Sequence, residues 1–326
     1  MIAPVAVVTG ASAGVGRATA ITFAHAGYDV ALISRDSLRL FDAAIEARRA
    51  GGRVHVFLGD VADAVRVDDL AIEIEETLGP IEVWVNNAMV TVFARFQDMT
   101  AEEFTRVTAV TYLGAVNGTR AALKRMLPRD RGTIVQVGSA LAYRSIPLQS
   151  AYCGAKSGVR GFTDSIRSEL IHAKSHVRIS MVQLSAFNTP QFDWARSRLP
   201  RKLQPVPPIF QPELAARAIL LAARSKRREV WVGWPAIQAI LSTRIIPGLG
   251  DWLAARDAWD EQETDESAQL HPDNLFEAVP GHFGTHGRFD ERARSHMLAL
   301  WLVENRYLVL ALMAGFVLWA VIKAWL

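Results

Sequence analysis

The 326-residue chain has a single cysteine, Cys153, and little charge imbalance. One thiol excludes an internal disulfide and suits a reducing compartment. A formal net charge of +3 gives no electrostatic case for nucleic acid. The eight histidines form no ligand-spaced pair on a helix, so no metal site is expected. There is no internal repeat at solenoid spacing. The opening "MIAPVAVVTG" lacks a basic n-region, and its apolar run breaks at once in a glycine-rich turn. No signal peptide is therefore expected, and the run reads as a first strand.

What the chain does have is alternation. "PVAVVTG", "DVALISR", "RVHVFLGD", "IEVWVNNA", "GTIVQVGS", "VRISMVQL" and "EVWVGW" read as seven strands. Helix-length segments lie between them, among them Ala64 to Leu78 and Ala151 to Lys174. Strands that are apolar throughout, alternating with helices, predict a doubly wound α/β fold on a parallel seven-stranded sheet. This domain spans residues 1–235, with a lid expected at about 189–212. Beyond it the rhythm stops. Residues 236–256 are apolar but interrupted by proline and glycine, and are expected to face substrate or membrane. Residues 257–291 are acidic and read as a solvated linker. Residues 292–326 read as a helix that runs into an apolar tail.

"VVTGASAGVGRATA" follows the first strand and opens a helix. Gly10, Gly14 and Gly16 allow a sharp turn and close backbone approach to a pyrophosphate. Ser12, Ala13 and Val15 complete the turn, and the helix N-terminus offers free N–H groups to phosphate. The second strand ends in Ser34 and Arg35 rather than in an acidic residue. A guanidinium there pairs a 2′-phosphate, which favours NADP(H) over NAD(H). Arg17, in the first helical turn, is either a further phosphate contact or a solvated charge.

The fifth predicted strand ends at Ser139, and Tyr152 and Lys156 follow in "SAYCGAKSGVRGF". Positions i and i+4 share a helix face. A cation beside a phenol lowers its pKa and makes Tyr152 a general acid/base candidate. "TGASAGVG", "NNA" at Asn86 to Ala88, and Ser139 with "YCGAK" together resemble the short-chain dehydrogenase/reductase family over about residues 1–235. That resemblance implies a Rossmann-type domain, a nicotinamide dinucleotide and hydride transfer between a carbonyl and an alcohol. It implies that Tyr152 donates the proton, that Lys156 bonds the nicotinamide ribose and depresses the Tyr152 pKa, and that Ser139 polarises the carbonyl. It places Asp60 and Val61 at the adenine, Asn87 and Ala88 beside the adenosine ribose, and Thr189 at the carboxamide. It also implies a homodimer.

Three departures stand out. Thr111 occupies the place of the family's catalytic asparagine, where its hydroxyl would hold the relay water. Met89 replaces a glycine after "NNA". Ser185–Ala186 replaces Pro–Gly, which suggests a less constrained loop over the nicotinamide. These departures support an alternative: a non-catalytic nucleotide-binding membrane scaffold or sensor that keeps the fold. A related chemistry on the same fold, such as epimerisation or dehydration, is a third reading.

Residues 307–322 carry no charge. As a helix, 307–326 would be about 30 Å long, enough to span a bilayer's hydrocarbon core. Arg292, Arg294 and Arg306 precede the run, which places the enzyme on the cytoplasmic side. The expected protein is a membrane-anchored oxidoreductase acting on a lipophilic substrate.

Overall fold

The computed structural model describes residues 3–269, 271–305 and 323. Seven strands form one parallel sheet: β1 (Val5–Thr9), β2 (Asp29–Ser34), β3 (Val54–Leu58), β4 (Ile81–Asn86), β5 (Thr133–Ser139), β6 (Arg178–Leu184) and β7 (Glu229–Val232). Their order is β7-β6-β5-β4-β1-β2-β3. The order reverses beside β1, so the carboxyl ends of β1 and β4 flank a crevice.

The helices are α1 (Gly14–His25), α2 (Ser37–Ala50), α3 (Ala64–Leu78), α4 (Ala101–Val107), α5 (Gly114–Met126), α6 (Ser150–His172), α7 (Gln191–Trp194), α8 (Pro212–Arg224), α9 (Trp234–Ile245), α10 (Pro247–Arg256) and α11 (Leu298–Glu304). Apolar residues of α1, α2 and α8 pack on one face of the sheet, and those of α3, α5 and α6 on the other. Every residue of β1 and β5 is buried. That is why these strands read as mostly apolar without alternation, each Val or Ile stabilising by roughly 1.5–3 kcal/mol on burial. Helix starts follow side-chain chemistry. Asp63 accepts from the N–H groups of Val65 and Arg66 to cap α3, and Thr100 and Glu103 form a capping box on α4.

The seven predicted strands are all present, and α3 has the predicted bounds. The C-terminal third differs from its sequence reading. Residues 257–291 are not a solvated linker. Glu263–Ser267 pairs antiparallel with Arg201–Leu203, and Gln262, Leu275 and Phe289 are buried. The acidic stretch meets the basic one: Lys202 Nζ lies 2.6 Å from Glu266 and Arg196 Nε 2.8 Å from Asp273. Composition alone hid this, because the partner charges lie far away in sequence.

The expected lid charges are likewise held. Arg196 and Arg198 reach the buried carboxylate of Glu103 at 3.2 and 2.8 Å. Residues 236–256 form most of α9 and all of α10, each with proline in its first turn, where a missing N–H costs nothing. Helix α11 starts at Leu298 rather than near Arg292. Residue 294 is engaged in a parallel bridge with Phe210, its N–H bonding Ile209 O at 2.9 Å. Among the described residues no helix is long and apolar enough to cross a membrane. The expected span at 307–326 lies outside them except for Lys323.

Candidate active site

A cavity of about 420 Å³ runs along the carboxyl ends of the strands. At one end it meets the glycine-rich turn after β1. A Cβ on Gly16 would stand 2.1 Å from Gly10 O, and one on Gly10 2.7 Å from Ala88 Cα. The turn thus packs directly on the "NNA" segment, and only glycine fits at this approach. Asn87 fastens the two, its Nδ2 donating to Thr9 O at 3.0 Å and Gly10 O at 3.2 Å. Thr9 Oγ1 accepts from the N–H groups of Asn87 and Ala88.

Ser12, Ala13, Gly14, Val15, Asp60, Val61 and Thr189 also line the cavity. Asp60 accepts from Ala62 N–H at 2.9 Å and from Arg106 Nη2 at 2.5 Å. Burial alone would raise its pKa. The hydrogen bonds from Ala62 and Arg106, with the Arg106 and Arg35 charges, outweigh burial and hold it below the usual range.

At the other end Ser139, Tyr152 and Lys156 share the wall. Ser139 is the last residue of β5, and Tyr152 and Lys156 lie one turn apart on α6. Lys156 is buried and donates to Val137 O at 2.7 Å. Its Nζ stands 5.7 Å from the Tyr152 ring centroid. Burial lowers the Lys156 pKa to about 8. Burial also pushes the Tyr152 phenol well above its ordinary value, against the pull of a hydrogen bond with Ser139. The expected lowering of Tyr152 by Lys156 is therefore not what this arrangement gives. Desolvation acts on both groups and dominates.

Three more readings change. Thr111 does not line the cavity. It is buried in a π-type turn, Thr108–Leu113, where its hydroxyl donates to Val90 O at 2.8 Å and accepts from Val90 N at 3.1 Å. Both bonds hold a loop, leaving the expected relay-water role without a free hydroxyl. Arg17 is neither solvated nor on the cavity wall. It is buried, bonded to Glu46 at 2.9 Å and to Phe283 O at 3.1 Å. The Ser185–Ala186 loop is constrained by other means: Ser185 Oγ donates to Val232 O at 2.6 Å, and Ala186–Phe187 pairs with Ile209–Phe210.

Arg35 lines the cavity, but its Nη1 and Nη2 donate to the carbonyls of Phe276 and Asn274 at 2.6 and 3.0 Å. Sequence reasoning did not single out Asn274, Arg39 or Gln262, all of which line the cavity. Arg39 lies four residues after Arg35, in the first turn of α2, and its charge so near the strand end could have flagged it. Gln262 accepts from Gln149 Nε2 at 2.7 Å, and Asn274 arrives from far along the chain. Neither had a local signal. Met89, Phe93, Leu141, Phe192, Pro235 and Ala239 make the wall near Tyr152 largely apolar. Among the described residues no group of side chains is placed to hold a metal ion.

Two orphaned polar groups test whether a phosphorylated dinucleotide suits this cavity. Arg39 Nε and Nη1 are buried without an acceptor, and Asn274 Oδ1 is buried without a donor. A ligand with phosphate, hydroxyl and amino groups supplies what they lack, so the residues fit.

Residues 4–199 match the family described as short chain dehydrogenase. An uncharacterized oxidoreductase, YxnA of Bacillus subtilis (strain 168), is 30% identical over 326 residues, 98% of this chain and 90% of the relative. A metagenomic short-chain oxidoreductase solved in complex with NADP shares 27% identity at a TM-score of 0.60, covering 70% of this chain and 96% of its own. The alcohol dehydrogenase of the archaeon Thermococcus sibiricus, complexed with 5-hydroxy-NADP, shares 27% identity at 0.61, covering 70% and 95%.

Proposed function

The chain belongs to the short-chain dehydrogenase family and is an oxidoreductase by that membership, and we propose that it interconverts a carbonyl and an alcohol on a lipophilic substrate with NADP(H). The observation that carries this reading is the convergence of Ser139, Tyr152 and Lys156 on one cavity whose far end is the glycine-rich turn. The bound nicotinamide would supply or accept the hydride. The NADP complexes of the two similar structures support the phosphorylated cofactor. So does the basic pair Arg35 and Arg39 at the adenosine end.

The chain's own groups do the rest. Ser139 donates to the substrate oxygen and fixes it near the phenol. Tyr152 gives that oxygen its proton during reduction. Lys156, desolvated and tied to Val137 O, holds its ammonium toward the Tyr152 ring and stabilises phenolate as the proton leaves. The apolar wall excludes water and favours a lipophilic chain.

The uncharged run at 307–322 supports a bilayer anchor. The preceding arginines support a cytoplasmic catalytic domain, and the homodimer rests on the family resemblance. Exposed Trp234, Ile245, Trp252 and Trp301 add apolar surface outside that run.

The test is NADPH oxidation by detergent-solubilised protein over a panel of lipophilic ketones and aldehydes. Turnover with such substrates and not with small polar ones supports the reading. Cofactor binding without turnover on any of them moves the scaffold alternative forward. A chain lacking residues 306–326 is expected in the soluble fraction, and its continued pelleting would show another anchor.

A further inference from the structure

Residues 273–289 carry no helix or strand. They nevertheless meet the expected nucleotide site at three successive places. At the adenosine end, Arg35 donates to the carbonyls of Phe276 and Asn274 at 2.6 and 3.0 Å, and Arg106 Nε to that of Leu275 at 3.0 Å. At the glycine-rich turn, Gly14 N–H donates to Gly284 O at 3.1 Å and Arg17 Nη1 to Phe283 O at 3.1 Å. At Thr189, the expected carboxamide contact, Gly287 packs so closely that a Cβ would stand 2.5 Å from Thr189 O. Asn274 and Ala278 line the cavity itself.

The ends and the middle of this segment are held differently. Leu275 is 0% exposed within the sheet's apolar core, and Phe289 is buried against Phe192, their ring centroids 6.1 Å apart. Between them only Val279 is buried. The middle is held by backbone carbonyls on Arg17 and Gly14 and by Phe283, whose ring meets Trp194 edge to face at 4.7 Å. Apolar anchors are costly to pull into water, while a carbonyl bonded near the surface exchanges its partner for water at little net cost. A segment built this way opens in its middle while its ends stay docked.

We propose that residues 276–288 are a strap across the dinucleotide, and that the strap must open for the cofactor to enter or leave. This rests on the dinucleotide reading above and adds to it what sets the rate of exchange. A dinucleotide held from Arg35 to Thr189 is crossed by the strap at its adenosine end, at its pyrophosphate and at its nicotinamide. Gly287 is the positioning residue that seats the strap, because only a residue without a side chain lies flat on the Thr189 backbone.

The experiment measures entry and exit of NADPH and NADH in parallel, by stopped flow on the full detergent-solubilised chain. The readout is fluorescence transfer from protein to nicotinamide, with the matching oxidised dinucleotide in excess as the chase for exit. Gly287→Ala sets a methyl against the Thr189 backbone and lifts the strap. Entry and exit are both expected to rise about tenfold or more while Kd moves less than about threefold, because a lid slows both directions. Phe283→Ala gives up the Trp194 contact and no core residue. It should show the same pattern at about threefold or more, and it decides the matter if the Gly287 variant does not fold. Faster exit with unchanged entry would make the segment a plain binding wall and overturn the strap. Parent rates in both variants would also overturn it and would keep the dinucleotide reading. A parent chain that binds neither dinucleotide would remove both.

Discussion

Residues 4–188, together with α8 and β7, form a first region, and residues 189–211 with 257–296 form a second; different forces hold the two. The first region is a layered sheet whose apolar residues are buried from end to end, as in β1 and β5. It carries Ser139, Tyr152, Lys156 and the glycine-rich turn. The second region has a small apolar cluster, around Phe192, Leu203, Ile209 and Phe289, which also takes in Phe93 of the first region, and its Leu275 joins the core of the sheet. Otherwise charge holds it: Arg196 and Arg198 dock on Glu103 of the first region, while Lys202–Glu266 and Arg288–Asp193 tie the second region to itself. Apolar burial is non-directional and local patterning specifies it. Ion pairing between distant segments needs the finished fold to bring the partners together. The chemistry therefore sits on the apolar layered sheet, while the walls that select ligands come partly from the charge-docked region.

The sharpest way to separate the halves is to disable the chemistry alone. Tyr152→Phe should lower turnover about 100-fold or more. Cofactor affinity and the packing of the second region should stay unchanged. Initial rates beside a cofactor titration check this, and a variant that keeps its rate would remove Tyr152 as the acid/base.

Lys156→Met tests the cost of function inside the layered sheet. The buried ammonium has its pKa lowered to about 8 from an ordinary 10.5. Below pH 8 it is charged in both folded and unfolded chains, and the fold carries the full desolvation penalty. Between pH 8 and 10.5 the unfolded chain binds more protons, so stability of the parent rises with pH. At pH 7 the variant should be more stable by up to about 3 kcal/mol, less the cost of leaving Val137 O unpaired. That advantage should shrink as pH rises from 8 to 10.5. Chemical denaturation at pH 7 and pH 10 reads it, and a pH-independent difference would deny the buried charge.

Glu103→Gln aims at the charge-docked half. The carboxylate is 1% exposed, while its partners are a third to nearly half exposed. The loss should be about 2 kcal/mol, below that of a fully buried pair because solvent screens the arginines. Trypsin cleavage at residues 196–202 should then precede unfolding of the sheet. Simultaneous loss of both regions would show that they do not separate.

The smallest effect is expected for Lys202→Ala. Its partner Glu266 is largely exposed, so the pair adds little to stability and fades with salt. A thermal shift larger than that of Glu103→Gln would invert the ranking.

Much of the first region was legible. Seven strands, the turn at Gly10 to Gly16, and Ser139 with Tyr152 and Lys156 all carry short-range signals. They appear as apolar runs, required glycines and helical spacing. Where that reading failed, geometry rather than residue type was decisive. Thr111 has a hydroxyl in the expected segment, yet a π-type turn gives it to Val90. Arg35 has the expected charge, yet the backbone of residues 274–276 takes it. Asn274 and Gln262 had no local pattern, because they reach the cavity only after the acidic stretch has paired with the basic one.

The sequence by itself determined the parallel sheet and the convergence of the Ser139, Tyr152 and Lys156 wall on the nucleotide turn. Periodicity and strand-end position follow from backbone geometry that every chain obeys. Only the tertiary structure decided which charged groups remain unpaired at the cavity. Pairing between residues tens to hundreds of positions apart depends on distances, and those exist only once the chain has folded.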